Sequence, residues 1–139
     1  MKLSVIIPCY NEEKTIIKII DAVKKQINEN DEIIVIDDYS TDNSRKILKE
    51  DLSNKIYQLI LNEKNFGKGY SIRKGIEEAT GEIILIQDAD LEYDPTDYIR
   101  LLKPIISGVA DVVYGSRFVG SGEKRVMYFW HMIGNKILT

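Results

Sequence analysis

The stretch Leu3-Ser4-Val5-Ile6-Ile7-Pro8-Cys9-Tyr10-Asn11-Glu12-Glu13 decides the fold. A short apolar run is stopped by a proline and passes straight into a polar, acidic loop. A run this short, with little alternation, reads as a strand buried on both faces. Proline cannot donate to a sheet ladder and marks the end of the run. The same pattern recurs downstream at residues 33–36, 56–61, 83–86 and 112–114. Between the runs the period changes. Ile16, Ile20, Val23 and Ile27 fall on one face of a helix. Ile47 and Leu48 turn inward on a second helix, capped by Ser40 or Asp42. Residues 67–80 read as a loop entering a helix that Gly81 stops. Asp94-Pro95 is a cap followed by proline at the first helical position, and that helix runs to about Ser107. Strands alternating with helices imply an α/β fold: a mostly parallel sheet with right-handed crossovers and helices on both faces.

The chain has 139 residues, 44% of them hydrophobic and 29% charged, which is enough for one packed core and excludes a disordered polymer. Its net charge of -3 argues against a general nucleic-acid binder. The single cysteine, Cys9, excludes an internal disulfide framework, fits a reduced cytoplasmic setting and reads as a packing residue. No apolar run approaches the roughly 20 residues that span a bilayer. The N-terminal run is also too short for a signal-peptide core. Residues 119–124 look the most flexible. Beyond them Val126, Met127, Phe129, Trp130, Met132, Ile133, Ile137 and Leu138 form an amphipathic, aromatic helix candidate. Its apolar face suits a contact between copies of the chain or a peripheral contact with the inner face of a membrane.

In open α/β sheets ligands gather beyond the carboxyl ends of the strands, so the residues there carry the functional expectation. Asp88 and Asp90 lie two positions apart, on one side of an extended segment. Paired carboxylates suit a hard divalent cation shared with phosphate oxygens. Taken alone, the triplet reads first as a solvated turn. Glu92 is a third oxygen donor in line. Asp37 and Asp38 either recognise a base or ribose or cap the following helix. Tyr10 either stacks on a base or packs. Arg117 either clamps a phosphate or sits on the surface. His131, on the apolar C-terminal segment, reads as a helix residue. The glycine-rich residues 65–69 lack the spacing of a phosphate-binding P-loop, and no Gly-x-Gly-x-x-Gly turn follows the first strand, which argues against a dinucleotide site.

Five stretches, from Val5 to Glu13, Ile34 to Asp42, Asn65 to Gly69 with Gly75, Asp88 to Asp90, and Gly115 to Arg117, occur in one order over essentially the whole chain. In that order they resemble the nucleotide-diphospho-sugar transferases of the GT-A fold, specifically glycosyltransferase family 2. Asp88 to Pro95, Tyr114 to Phe118 and Tyr128 to Asn135 are similar to its dolichyl-phosphate mannosyltransferase and polyprenyl-phosphate glycosyltransferase branch.

The resemblance implies a Rossmann-like sheet and a metal-dependent, inverting transfer of sugar from a UDP- or GDP-sugar donor. The implied acceptor is a polyprenyl or dolichyl phosphate, or a saccharide. Pro8, Tyr10 and Glu12 would line the nucleotide pocket, and Asp38 would contact the base with Ile36 packed near it. Asp88, Ala89 and Asp90 would sit at the ribose and diphosphate. Asp90, helped by Asp88 and Glu92, would hold Mg²⁺ or Mn²⁺. Arg117 would neutralise phosphate charge and, with Asp90, carry the catalytic role. Family members often have Gln where this chain has Glu92. They are usually longer, and the periodic pattern still runs at Thr139, so residues 1–139 read as the N-terminal, donor-binding part of a longer domain. Two other readings compete: a nucleotide-sugar-binding domain without catalysis, and a phosphoacceptor receiver module, which is also doubly wound with aspartates at strand ends.

Overall fold

A computed structural model describes residues 1–115 of the chain. Strand β1 (Leu3–Cys9) is followed by α1 (Ile16–Lys24), β2 (Glu32–Asp37), α2 (Ser44–Glu50), β3 (Gln58–Leu61), α3 (Lys68–Glu78) and β4 (Ile83–Ile86). A 3₁₀ turn, Pro95–Asp97, then leads into α4 (Tyr98–Ile106). The described residues fall into two units, Met1–Ile99 and a second that begins at Arg100. In the first, the strands form one sheet in the order β3-β2-β1-β4, with every pair parallel. The α/β reading and its parallel sheet are therefore borne out.

β1 and β2 form the centre because both faces of each are apolar. Ile6, Ile34 and Ile36 cluster on one face, and Val5, Ile7, Ile33 and Val35 on the other are equally buried. Each such side chain contributes about 1.5–3 kcal/mol by leaving water. α3 lies on the Ile6 face and approaches closely at Gly75. There a Cβ would stand 2.5 Å from Ile6 Cγ2 and 2.8 Å from Ile36 Cδ1. α1 buries Ile16, Ile19, Ile20 and Val23, one helical face, and ends before Ile27.

The structure corrects three expectations. β4 is buried on one face only: Ile83 and Leu85 are inside, while Ile84 and Ile86 are 40% and 48% exposed. Residues 112–114 do not form a fifth strand among the described residues, and Val112 and Tyr114 are exposed. Gly81 is not a left-handed helix stop, since α3 ends at Glu78 with Ala79 as an extended cap. Glycine is needed at 81 because a Cβ would meet Ser4 Oγ at 2.5 Å and the Lys2 carbonyl at 2.8 Å. The Asp94-Pro95 start, in contrast, forms as read: Asp94 Oδ1 accepts from the Thr96 N–H at 2.9 Å, and Pro95 opens the 3₁₀ turn.

A buried carboxylate ties β1, β2 and the lead into β4. Glu32, 1% exposed, accepts from the Ser4 hydroxyl at 2.6 Å, the Thr80 N–H at 2.6 Å and the Thr80 hydroxyl at 2.8 Å. It also pairs with Lys2 Nζ at 2.6 Å. Burial alone would raise its pKa. The Lys2 ammonium and the Ser4 and Thr80 donors outweigh burial and hold it down to about 2.

Candidate functional site

The strand order reverses at β1: the chain winds outward to β2 and β3, then returns to place β4 on the other side of β1. Such a switch point opens a crevice at the carboxyl ends of the strands. The crevice here is a cavity of about 400 Å³ lined by Pro8, Cys9, Tyr10, Glu12, Asp38, Asn65, Gly67, Lys68, Ser71, Asp88, Ala89 and Asp90. Seven residues marked in the sequence (Pro8, Tyr10, Glu12, Asp38, Asp88, Ala89 and Asp90) thus meet around one volume. A second cavity of similar size, beside α1 and the Pro95 turn, contains none of them.

Three non-glycine residues among those described have positive φ: Asn11 at 55°, Tyr39 at 65° and Leu91 at 63°. They sit on the loops after β1, β2 and β4. Asparagine tolerates this region, but leucine and tyrosine do so at a cost of order 1–3 kcal/mol each, which the surroundings must offset. The loops are accordingly tied together. Asn11 Oδ1 accepts from the Thr41 N–H at 2.8 Å, and the Asn11 N–H donates to Ser40 Oγ at 3.0 Å. The Glu12 N–H donates to Ser44 Oγ at 2.7 Å, and the Glu13 N–H to Asp42 Oδ2 at 3.1 Å. Burial raises Asp42, but the Ser44 hydroxyl and nearby N–H donors outweigh it and leave its pKa lowered. Asp42 Oδ1 accepts from the Ser44 N–H at 2.9 Å and so braces the helix start, but the cap position is Asn43 rather than Ser40 or Asp42.

Asp37 and Asp38 divide the work. Asp37, fully buried, accepts from Arg45 Nε at 2.7 Å, while the same guanidinium donates to the Asn62 carbonyl at 2.9 Å. Asp38 Oδ1 accepts from the Phe66 N–H at 2.9 Å and the Asn62 amide at 2.8 Å, and Oδ2 accepts from the Gly67 N–H at 2.8 Å. Burial pushes Asp38 up, but these donors and Ser71 outweigh it, so its carboxyl lies below the usual range. Asp38 both faces the cavity and fixes the turn that opens α3. Cys9 lines the cavity floor almost fully buried, and its thiol is pushed up to about 12. Burial is the main cause, reinforced by the negative charge of Asp37 and Glu12. That environment makes it an inert packing residue.

Asp88 and Asp90 enter from the loop after β4. Gln87, buried beneath them, donates to the carbonyls of Asp88 at 3.0 Å and Tyr93 at 3.1 Å. It accepts from the Tyr98 hydroxyl at 2.8 Å. Asp90 Oδ1 accepts from the Glu92 N–H at 3.0 Å, which closes the turn over Leu91. Asp88 Oδ1 pairs with Lys68 Nζ at 2.6 Å.

Other candidates fall elsewhere. Ile36 is a fully buried core residue beneath the cavity and does not line it. Glu92 is outside the lining, and among the described residues no three carboxylates converge on a metal position. The three-ligand set Asp88, Asp90 and Glu92 is therefore not formed. What remains is two hard oxygen donors, Asp88 and Asp90, at an open cavity, a donor set of the type a divalent cation takes when phosphate oxygens and water complete its shell. Arg117, and the apolar segment containing Phe129, Trp130, His131, Met132 and Ile133, lie outside the described residues. The receiver alternative is excluded by the strand order, since that module places β1 between β2 and β3.

Residues that the composition and spacing did not single out include Lys68, Asn65 and Ser71 on the cavity wall and Gln87, Tyr98 and Asn62 behind it. The available signal was the Asn65 to Gly69 block, whose Gly67 adopts φ 90° to turn the chain into α3.

Comparison with known proteins agrees with this geometry. The family model described as glycosyl transferase family 2 matches residues 4–137. The dolichol-phosphate mannosyltransferase of Pyrococcus furiosus is 31% identical over 137 residues, covering 98% of this chain and 39% of that protein. The undecaprenyl-phosphate 4-deoxy-4-formamido-L-arabinose transferase of Proteus mirabilis is 37% identical over 118 residues, covering 81% of this chain and 36% of that protein. A mannosyltransferase from Pyrobaculum calidifontis, solved with GDP-Man and Mn²⁺, superposes with a TM-score of 0.58 at 29% identity, covering 63% of this chain and 27% of that one. The chain thus spans less than two fifths of the length of these curated relatives. Among the described residues, no helix is long and apolar enough to cross a membrane.

Proposed function

The chain belongs to glycosyl transferase family 2, and from that premise we propose that its cavity is the donor half of a metal-dependent, inverting sugar-transfer site. The donor is a nucleotide-diphosphate sugar, with uridine or guanosine as the base, and the acceptor is a polyprenyl or dolichyl phosphate. The observation that carries the reading is the meeting of Tyr10, Asp38, Asp88 and Asp90 around one cavity at the switch point. The names of two relatives, which specify a dolichol phosphate and an undecaprenyl phosphate, support the acceptor. The Mn²⁺ and GDP-Man of the structural neighbour support the metal and the donor.

In this reading Asp88 and Asp90 would hold Mg²⁺ or Mn²⁺. Bound there, the cation would supply Lewis-acid stabilisation of the negative charge that grows on the departing nucleoside diphosphate. Asp38 holds the turn at Phe66 and Gly67, so that the α3 end of the cavity stays open. Tyr10, half exposed, offers its ring to the base. A lipid phosphate is already anionic and attacks without a protein base, so the site needs positioning and charge rather than proton transfer. Attack opposite the leaving group inverts the anomeric carbon.

Calorimetric titration of UDP, GDP and their sugar conjugates, with and without Mn²⁺, tests this. One nucleotide should bind in a metal-dependent way, and Asp90→Asn should weaken that binding at least tenfold. Metal-dependent binding unchanged in Asp90→Asn would refute the assignment of Asp90, and no binding of any nucleotide would refute the donor site.

A further inference from the structure

The described cavity wall carries four carboxylates, Glu12, Asp38, Asp88 and Asp90, against one cationic side chain, Lys68. Such a wall repels a nucleoside diphosphate unless its charge is managed. Lys68 opens α3 and reaches across to Asp88, Nζ to Oδ1 at 2.6 Å. Its base is fixed, because Asp38 binds the N–H groups of the two preceding residues, Phe66 and Gly67. Its tip is not enclosed: the side chain is 59% exposed, against 21% for Asp88. On either side of it, a Cβ built on Gly67 or Gly69 would meet nothing within 4 Å, so the backbone that carries Lys68 is uncrowded.

We infer that Lys68 is an exchangeable counter-ion of the metal motif. It neutralises Asp88 while the cavity lacks ligand, yields Asp88 when a divalent cation arrives with the donor, and transfers its ammonium to a phosphate oxygen of the diphosphate. This rests on the donor-site reading above and adds a positioning residue to it. The arrangement makes opposite demands on two ligands. Lys68 competes with a bare cation for Asp88, yet it attracts the diphosphate. The site therefore disfavours metal alone and favours metal carried by the nucleotide.

The opposed signs provide the test. Lys68→Met keeps the apolar stem and removes the charge, and Lys68→Arg keeps the charge. Mn²⁺ binding to the full chain without nucleotide is followed by electron paramagnetic resonance. UDP and GDP are titrated at saturating Mn²⁺, with uridine and guanosine as uncharged controls. Lys68→Met should bind bare Mn²⁺ about threefold more tightly, the scale of a half-exposed ion pair. It should bind the preferred diphosphate roughly tenfold more weakly, the scale of a lost charged hydrogen bond. Nucleoside binding should not change, and Lys68→Arg should restore most of the diphosphate affinity. A merely structural lysine would weaken every ligand together, and a lysine that only binds phosphate would leave bare Mn²⁺ unaffected. Either pattern, with wild-type diphosphate binding intact, overturns the inference alone. Failure of the wild-type chain to bind any diphosphate overturns the donor-site reading as well.

Discussion

Glu32→Gln should cost stability at neutral pH and much less in acid. Glu32 sits at the opposite end of the sheet from the cavity, but it joins β1 and β2 to Thr80 and so fixes where β4 begins. The folded carboxyl is held down to about 2 from an ordinary 4.5. At about 1.36 kcal/mol per unit, the charged form contributes about 3 kcal/mol. A depressed carboxylate stabilises the fold above its unfolded pKa and loses that contribution as pH falls through its folded pKa. The window is therefore about pH 4.5 down to 2, with about 2 kcal/mol already gone at pH 3. Glutamine offers one acceptor oxygen to four donors and cannot replace the charge. Urea denaturation of wild type and Glu32→Gln at pH 7, 5, 4 and 3 isolates this group, because Asp38 and Asp42 titrate alike in both proteins. The difference should be near 3 kcal/mol at pH 7 and near 1 at pH 3. A difference that does not change with pH would show that shape and packing, rather than ionisation, hold the network.

Three further outcomes can be checked by denaturation or labelling. Gly75→Ala should destabilise by about 1–3 kcal/mol, because its Cβ would collide with Ile6 and Ile36 in a filled core. Gly69→Ala in the same helix meets nothing and should be neutral or stabilising by up to about 1 kcal/mol, so equal effects on melting temperature would contradict the packing described. Gln87→Leu removes the acceptor of the buried Tyr98 hydroxyl and a donor to the Asp88 and Tyr93 carbonyls, and should cost about 1–3 kcal/mol, with Tyr98→Phe costing less. Cys9, with a thiol near pKa 12, should resist a disulfide reagent at pH 8 in the folded chain and react on addition of urea; rapid labelling of the native protein would show that the cavity floor opens.

Most of the sheet was legible because burial on two faces demands nearly continuous apolar runs, as at 3–7 and 33–36, and 83–86 is also an apolar run although β4 is buried on one face only. The bounds of β2 were legible only in part. Glu32 and Asp37 belong to the strand, but each is a charge whose partner, Lys2 or Arg45, lies elsewhere in the sequence. Residues 112–114 show the opposite failure. Three apolar or aromatic residues satisfy the pattern of a strand, yet β-structure needs a neighbour to pair with, and among the described residues none of the three is in a ladder.

The site was legible to the extent that its residues stand next to strand ends. Asp88 and Asp90 are found by position alone, since a strand that ends in a crevice delivers the next residues to it. Lys68 could not be found that way. It follows a turn whose shape depends on Asp38, thirty residues earlier, accepting the N–H groups of Phe66 and Gly67. The two aspartates after β2 illustrate the same limit. Identical side chains in adjacent positions face opposite demands: Asp37 turns to the Arg45 guanidinium inside the protein, and Asp38 turns to the cavity and the α3 turn. Alternation along a strand separates neighbours onto two faces, but only the packed structure says which face is solvent, core or site. A motif of acidic residues therefore predicts where chemistry is located before it predicts which carboxylate performs it. Asp37→Asn and Asp38→Asn provide the corresponding experiment. The first should lower stability by breaking a buried charge pair. The second should loosen the Phe66–Gly67 turn and, with it, the position of Lys68. If both variants lose stability alike and leave diphosphate affinity unchanged, the division of labour drawn from their geometry is wrong.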